Sequence, residues 1–155
     1  MSLKMFRKKN HSSAQPELFD EYTFFKAFSK DVKKAKHKVV IESPYITKRR
    51  AAEFAGLFLN HARKNLKITI LTRNPDHHDG SMILQSIEGI KILRKSGIEV
   101  ACFDDLRHRK IALIDDEILW QGSLNMLSHS NTREIMYRNF SAELVSKTKI
   151  FIGIK

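Results

Sequence analysis

The feature that most constrains this chain is the alternation, up to Phe103, of helix-period segments with short apolar runs. From Glu17, the residues Leu18, Tyr22, Phe25, Phe28 and Val32 recur at steps of three and four and share one face of a predicted helix. The lysine-rich end of that segment (Lys33, Lys34, Lys36, Lys38) suits the negative end of a helix dipole. Val39-Val40-Ile41, bounded by charge and by Ser43-Pro44, reads as a strand buried on both faces. A second helix, capped by Thr47 or a neighbour, runs to about Asn65 with Ala51, Ala55, Phe58 and Ala62 inward. Lys67–Leu71 is the next strand, and Asn74-Pro75-Asp76 with Asp79-Gly80 punctuates a loop. Ser81 opens a third helix that turns Ile83, Ile87, Ile90 and Leu93 inward and closes at Gly97, and Ile98–Phe103 is a third strand. Strands separated by helices are joined by crossovers, which predicts a parallel core.

The rhythm then breaks. Ile111–Ile114 and Ile118–Trp120 flank Asp115-Asp116-Glu117 as the arms of a hairpin, and a further strand is expected around Glu134–Tyr137. The expectation is an α/β domain with a mixed, mostly parallel sheet and helices on both faces. It spans residues 17–155, preceded over 1–16 by a flexible basic arm carrying Lys4, Arg7, Lys8 and Lys9, of which Met1-Ser2-Leu3 could be expression-derived. The tail, with Ile150, Ile152 and Ile154 alternating, ends abruptly, as a fragment of a longer protein would.

Charge narrows the partners. Lys and Arg number 28 against 17 acidic residues, a net charge of +11, which points to a polyanion and first to nucleic acid. No apolar run approaches the ~20 residues that span a bilayer, so no membrane partner is expected. Cys102 is the single cysteine, which excludes an internal disulfide and an all-cysteine metal site and suits a reducing, cytoplasmic setting.

The chemistry is concentrated after Arg107. His108, Lys110 and Asp115 form H-x-K-x4-D, followed by Gly122-Ser123-Leu124-Asn125 and then by Glu134 in Asn131-Thr132-Arg133-Glu134. These residues, in this order and spacing, resemble the signature of the phospholipase D superfamily over about residues 107–138. The resemblance implies a phosphodiesterase working through a covalent phosphohistidine without a metal or other cofactor. It further implies that a chain with one motif pairs as a two-fold homodimer, as the small bacterial endonucleases of the superfamily do, so that the second histidine comes from a second chain.

Physical chemistry agrees with the motif. Residues two apart on a strand share a side, so His108 and Lys110 project together, and so do Ser123 and Asn125 across the hairpin. A neutral imidazole can attack phosphorus while an ammonium, a hydroxyl and an amide hold the phosphate oxygens. Asp115 has the opposite parity and, with Gly122, is expected to serve the fold. Glu134 is the carboxylate expected to accept Nδ1–H of His108 and fix its tautomer.

Other residues carry alternative readings. Ser43 and Tyr45 follow a strand at its carboxyl end and either border the substrate or simply form a turn. Arg107 and Arg109, with Lys33 to Lys38 and Lys48-Arg49-Arg50, either track a phosphate backbone or sit in solvent. His77-His78-Asp79 lacks further ligands at metal spacing, so no metal site is expected. His37, His61 and His129 read as surface or interface residues, with His129 near enough to line a cleft, and Trp120 as core. The competing functions are a nuclease, a lipid phosphodiesterase or phosphatidyltransferase, and a silent nucleic-acid-binding module of a larger helicase- or ATPase-linked protein.

Overall fold

The computed structural model describes residues 15–59 and 65–155, so the basic arm before Gln15, together with His61 and Ala62, lies outside the described residues. Seven strands and four helices follow in the order β1 (Glu17–Asp20), α1 (Phe24–Lys34), β2 (Lys38–Glu42), α2 (Lys48–Leu59), β3 (Lys67–Arg73), α3 (Ser81–Lys95), β4 (Glu99–Phe103), β5 (Ile111–Ile114), β6 (Ile118–Gly122), β7 (Ile135–Phe140) and α4 (Ala142–Ile152). They build one mixed sheet in the order β1-β7-β6-β5-β2-β3-β4. The α/β class and the mixed sheet agree with the sequence reading.

The expected excess of parallel pairing does not. Only β2–β3 and β3–β4 are parallel, whereas β1–β7, β7–β6, β6–β5 and β5–β2 are all antiparallel. The crossover helices α2 and α3 impose parallel pairing on β2, β3 and β4 alone. Beyond Phe103 the chain returns without a crossover helix and lays β5 antiparallel along the other side of β2.

The first helix also starts later than its periodicity suggested. Glu17–Asp20 is an edge strand on β7, leaving Leu18 and Tyr22 exposed. Asp20 makes the break: its Oδ1 accepts from the Tyr22 and Thr23 backbone N–H groups and from the Thr23 hydroxyl. The helix then buries Phe24, Phe28 and Val32. Thr47 precedes α2 as expected, its hydroxyl accepting from Arg50 N at 3.3 Å, and Gly97 follows α3 at φ 82°. The Ile150–Ile154 tail is helical to Ile152, begun by Ser141, whose hydroxyl accepts from Leu144 N, and stopped by Gly153 in the left-handed region.

Helices cover both faces, unequally. α1, α2 and α3 pack on one face through Phe28, Phe54, Phe58, Ile90 and Leu93 against Val39, Ile41, Ile70, Ile114 and Trp120. The fully buried Trp120 is the centre of this core, as its parity predicted; it meets Phe24 edge-on at 5.2 Å and donates its indole N–H to Asp31. On the other face α4 contributes Val145 to a smaller cluster with Ile111, Leu113 and Leu119. Because β2 and β3 run toward the edge from which β5 starts and at which β6 ends, Tyr45, Arg73, His108, Gly122 and Glu134 gather at that edge. No helix among the described residues is long and apolar enough to cross a membrane.

Candidate active site

His108 and Lys110 lie in the extended segment entering β5. The Lys110 ammonium sits 2.8 Å from His108 Nδ1, 3.3 Å from Nε2 and 2.8 Å from the His108 carbonyl oxygen. His108 is exposed, while Lys110 is buried along its stem. Burial, then the charges of Lys110 and Arg73, hold the imidazole below its ordinary pKa of 6.5 and therefore favour the neutral base. Burial, opposed by Glu134 and assisted by Arg73, likewise holds Lys110 below the usual lysine value.

The second arm closes against the first. Gly122 N–H donates to Lys110 O at 3.3 Å, and Ser123 N–H donates to Ile135 O at 2.9 Å. A side chain at Gly122 would meet Ile135 O at 2.1 Å, so only glycine lets β7 approach here. Ser123 is exposed; its hydroxyl donates to the Glu134 carboxylate and accepts from Ile135 N. Asn125 lies beyond, with its side-chain oxygen buried and unbonded among the described residues.

Glu134 does not make the expected contact with His108. Its carboxylate accepts from the hydroxyls of Ser123 and Thr132, and its backbone N–H donates to Glu21. The group touching Nδ1 is the Lys110 ammonium, a donor where a carboxylate acceptor was expected.

Asp115 lies at the far end of β5. Its carboxylate accepts from the backbone N–H groups of Lys36, His37 and Lys38 at 2.9–3.3 Å, and its own backbone turns at φ 51°. Burial raises its pKa, but those three N–H groups, with the charge of His37, outweigh burial and leave it below the ordinary 3.8.

Of the residues expected to border the substrate, Tyr45 is beside His108, with ring centroids 6.2 Å apart. Ser43 is fully buried and donates its hydroxyl to Tyr45 O, so it forms the turn instead. Arg107 and Arg109 are both engaged. The Arg107 side chain is 7% exposed, pairs with Asp105 at 2.7 Å and lies 3.9 Å from Glu42, while Arg109 Nε donates to Glu42 at 2.9 Å. The Lys48-Arg49-Arg50 run is ion-paired as well, to Glu88 and Glu53. His129 lines a cleft of about 430 Å³ with Tyr22, Arg49, Asn131 and Arg133, and an open depression of about 650 Å³ leads from Lys110 and Gly122 across Tyr137 to Phe151. No group of three or more His, Cys, Asp or Glu among the described residues could hold a metal ion.

The chain matches the family model "Cardiolipin synthase, PLD-like domain" over residues 28–150. It belongs to the phospholipase D-like family. NucT from Helicobacter pylori superposes with a TM-score of 0.70 at 22% identity, covering 88% of this chain and 92% of that one. The phospholipase D family member Nuc from Salmonella typhimurium gives 0.68 at 14% identity, with 86% and 90% covered. TrmBL2, an archaeal chromatin protein described with a novel mode of DNA binding, gives 0.57 at 9% identity, with 96% and 54% covered. Likeness at these identities shows the shared fold. Comparison with curated proteins found no match.

Three residues at this phospholipase D-like edge were missed in the sequence. Arg73 ends β3 and donates to the carbonyl oxygens of Leu106 and Arg107 and to the Tyr45 hydroxyl. Glu42 is a fully buried carboxylate between Arg107 and Arg109. His78 is buried against the Tyr45 ring at 5.0 Å, its pKa lowered by burial first and then by Arg73. For Glu42 and Arg73 the signal was their place at the carboxyl ends of parallel strands, where open α/β sheets collect ligands. His78 was visible only as part of His77-His78-Asp79, read against a metal site.

Proposed function

We propose that this protein is a nuclease that cleaves phosphodiester bonds of nucleic acid through a phosphohistidine at His108, with the active site completed by a second copy of the chain. The observation that carries this reading is the exposed, neutral-favouring His108 in contact with Lys110, at the edge that also holds Ser123, Asn125 and Glu134. In the first step the His108 imidazole attacks phosphorus, the P–N bond forms and the leaving oxygen departs with a proton from a second histidine. Water, deprotonated by that same histidine, then breaks the P–N bond and restores His108. Lys110 stabilises the charge on the non-bridging oxygens, and the Asn125 amide, with the Ser123 hydroxyl once Glu134 releases it, adds hydrogen bonds to the phosphate.

Two features support the dimer. The described chain holds one H-x-K, and double displacement needs two histidines. His108 Nδ1 also faces an ammonium, so an acceptor that would select the nucleophilic tautomer has to be supplied as the site assembles. The resemblance to single-motif endonucleases, which implies two-fold pairing, fits the same reading. Nucleic acid is favoured over lipid by the net charge of +11.

The decisive experiment is plasmid and oligonucleotide cleavage in excess EDTA, beside phosphatidylcholine hydrolysis. Nucleic acid should be cut and lipid should not. His108→Ala should lower the rate by at least about 10³-fold while leaving binding in place. Strict magnesium dependence, or lipid turnover without nucleic-acid cleavage, overturns the reading. Binding without any cleavage would point instead to a silent module.

A further inference from the structure

We infer that Arg73 forms a subsite for the phosphate next to the one attacked at His108, so that the site takes a chain of phosphodiesters rather than an isolated one. This rests on the nuclease reading and specifies its substrate.

Three arginines surround His108, and they differ in what neutralises them. Arg107 is held by Asp105 and Glu42, and Arg109 by Glu42. Arg73 has no carboxylate within ion-pair distance among the described residues. Its Nε and Nη2 donate to the carbonyl oxygens of Arg107 and Leu106 at 3.0–3.4 Å, and Nη1 lies 3.4 Å from the Tyr45 hydroxyl. Carbonyl oxygens fix the plane of a guanidinium but leave its unit charge uncompensated. A fixed, uncompensated guanidinium suits a phosphate, which would meet it on the Nη1 side, the side not committed to carbonyl oxygens.

Its place relative to the chemistry sets the spacing. The guanidinium carbon lies 5.2 Å from the Tyr45 ring centroid, and that ring lies 6.2 Å from the His108 ring. Tyr45 is thus a neighbour of both groups, and the sugar or base joining two successive phosphates would lie against its ring. The buried His78 packs against the same ring at 5.0 Å. Arg73 is near enough for its charge to depress the pKa values of His108, Lys110 and His78. In the free protein that field is unfavourable to the cationic neighbours, and a second phosphate would relieve it. A phosphatidylcholine headgroup, with one phosphate, would leave Arg73 without a partner.

The test measures binding in the non-cleaving His108→Ala chain. Affinity for a single-stranded oligonucleotide is followed by fluorescence anisotropy over a salt series, with and without Arg73→Gln. Loss of one phosphate contact should make the slope of log K against log salt shallower by about 0.7 and lower the affinity roughly tenfold. A dinucleotide with one phosphate should compete less well than a trinucleotide with two. If Arg73→Gln fails to fold, Arg73→Lys decides: its ammonium keeps the charge, so the wild-type slope should persist. The inference is overturned by an unchanged slope in Arg73→Gln, by a reduced slope in a folded Arg73→Lys, or by no oligonucleotide binding at any salt. A wild-type chain that binds with the Arg73-dependent slope yet never cleaves would sink the nuclease reading alone.

Discussion

Glu42 shows how a single buried charge can set a site it never touches. Its Oε1 accepts from Arg109 Nε at 2.9 Å and lies 3.9 Å from Arg107 Nη1, while Oε2 and that Nη1 are buried without a hydrogen-bond partner among the described residues. The carboxylate thus grips the residues on both sides of His108 in sequence and holds the segment that carries the imidazole. Breaking a buried pair by neutralising one member leaves the other charge uncompensated, which typically costs about 3–5 kcal/mol. Glu42→Gln should lower the urea-unfolding free energy by about 3 kcal/mol, and the folded fraction should show a reduced kcat with a smaller change in KM. At His108 itself the prediction concerns pH. Burial, Lys110 and Arg73 all disfavour the imidazolium, so the neutral nucleophile persists to a pH below 6.5, and the rising limb of kcat/KM should lie below that value. Removing one of those charges eases protonation and raises the pKa, so the limb in Arg73→Gln should move up toward 6.5. A limb that moves down or stays in place contradicts the assignment.

At the scale of elements the hairpin turn is the informative piece. Asp115 takes a left-handed backbone at φ 51°, which an aspartate tolerates better than most residues, and its carboxylate gathers the N–H groups of Lys36, His37 and Lys38 at the start of β2. One side chain thereby pins β5 to β2 in register. Asp115→Asn keeps the turn but loses the charge in these bonds, and should destabilise the fold by about 1–2 kcal/mol, read by thermal or urea melting. Its folded pKa lies below 3.8, so the carboxylate's contribution is present above that ordinary value and is lost as pH falls through the lower, folded value. The gap between wild type and variant should therefore close in acid. A stable, inert Asp115→Asn would overturn the structural assignment. The same turn marks how far sequence reading reached. Parity on a regular strand was enough to separate Asp115 from His108 and Lys110, because that relation is local. The spacing of Leu18, Tyr22, Phe25, Phe28 and Val32 misled for the opposite reason: Glu17–Asp20 is a strand only because Ile135–Arg138 lies alongside it. The local sign of the break was Asp20 followed by Thr23. Glu134 fell between the two cases, since its position at the edge was legible but its choice of Ser123 and Thr132 over His108 depends on side-chain packing.

For the whole molecule, the sequence conveyed the layering and the motif edge but not the balance of strand directions, which depends on where the chain turns back after Phe103. That return places the motif hairpin in the middle of the sheet and brings β7, with Glu134 just before it, to the same edge. The edge still holds only one His108 per chain. If two copies are needed, His108→Ala chains should poison wild-type chains when the two are co-refolded. In an equal mixture only about a quarter of two-fold dimers carry both histidines, so activity per total chain should fall to about a quarter, against about half for independent monomers. Sedimentation at the assay concentration should show a dimer for wild type and for His108→Ala alike, since the substitution removes a reacting group and not the packing of a strand or helix. Linear loss of activity in proportion to the mutant fraction would mean that each chain completes its own chemistry. The second proton-transfer group would then have to be sought within one chain, and the buried His78, backing Tyr45 beside His108, would be the first residue to replace.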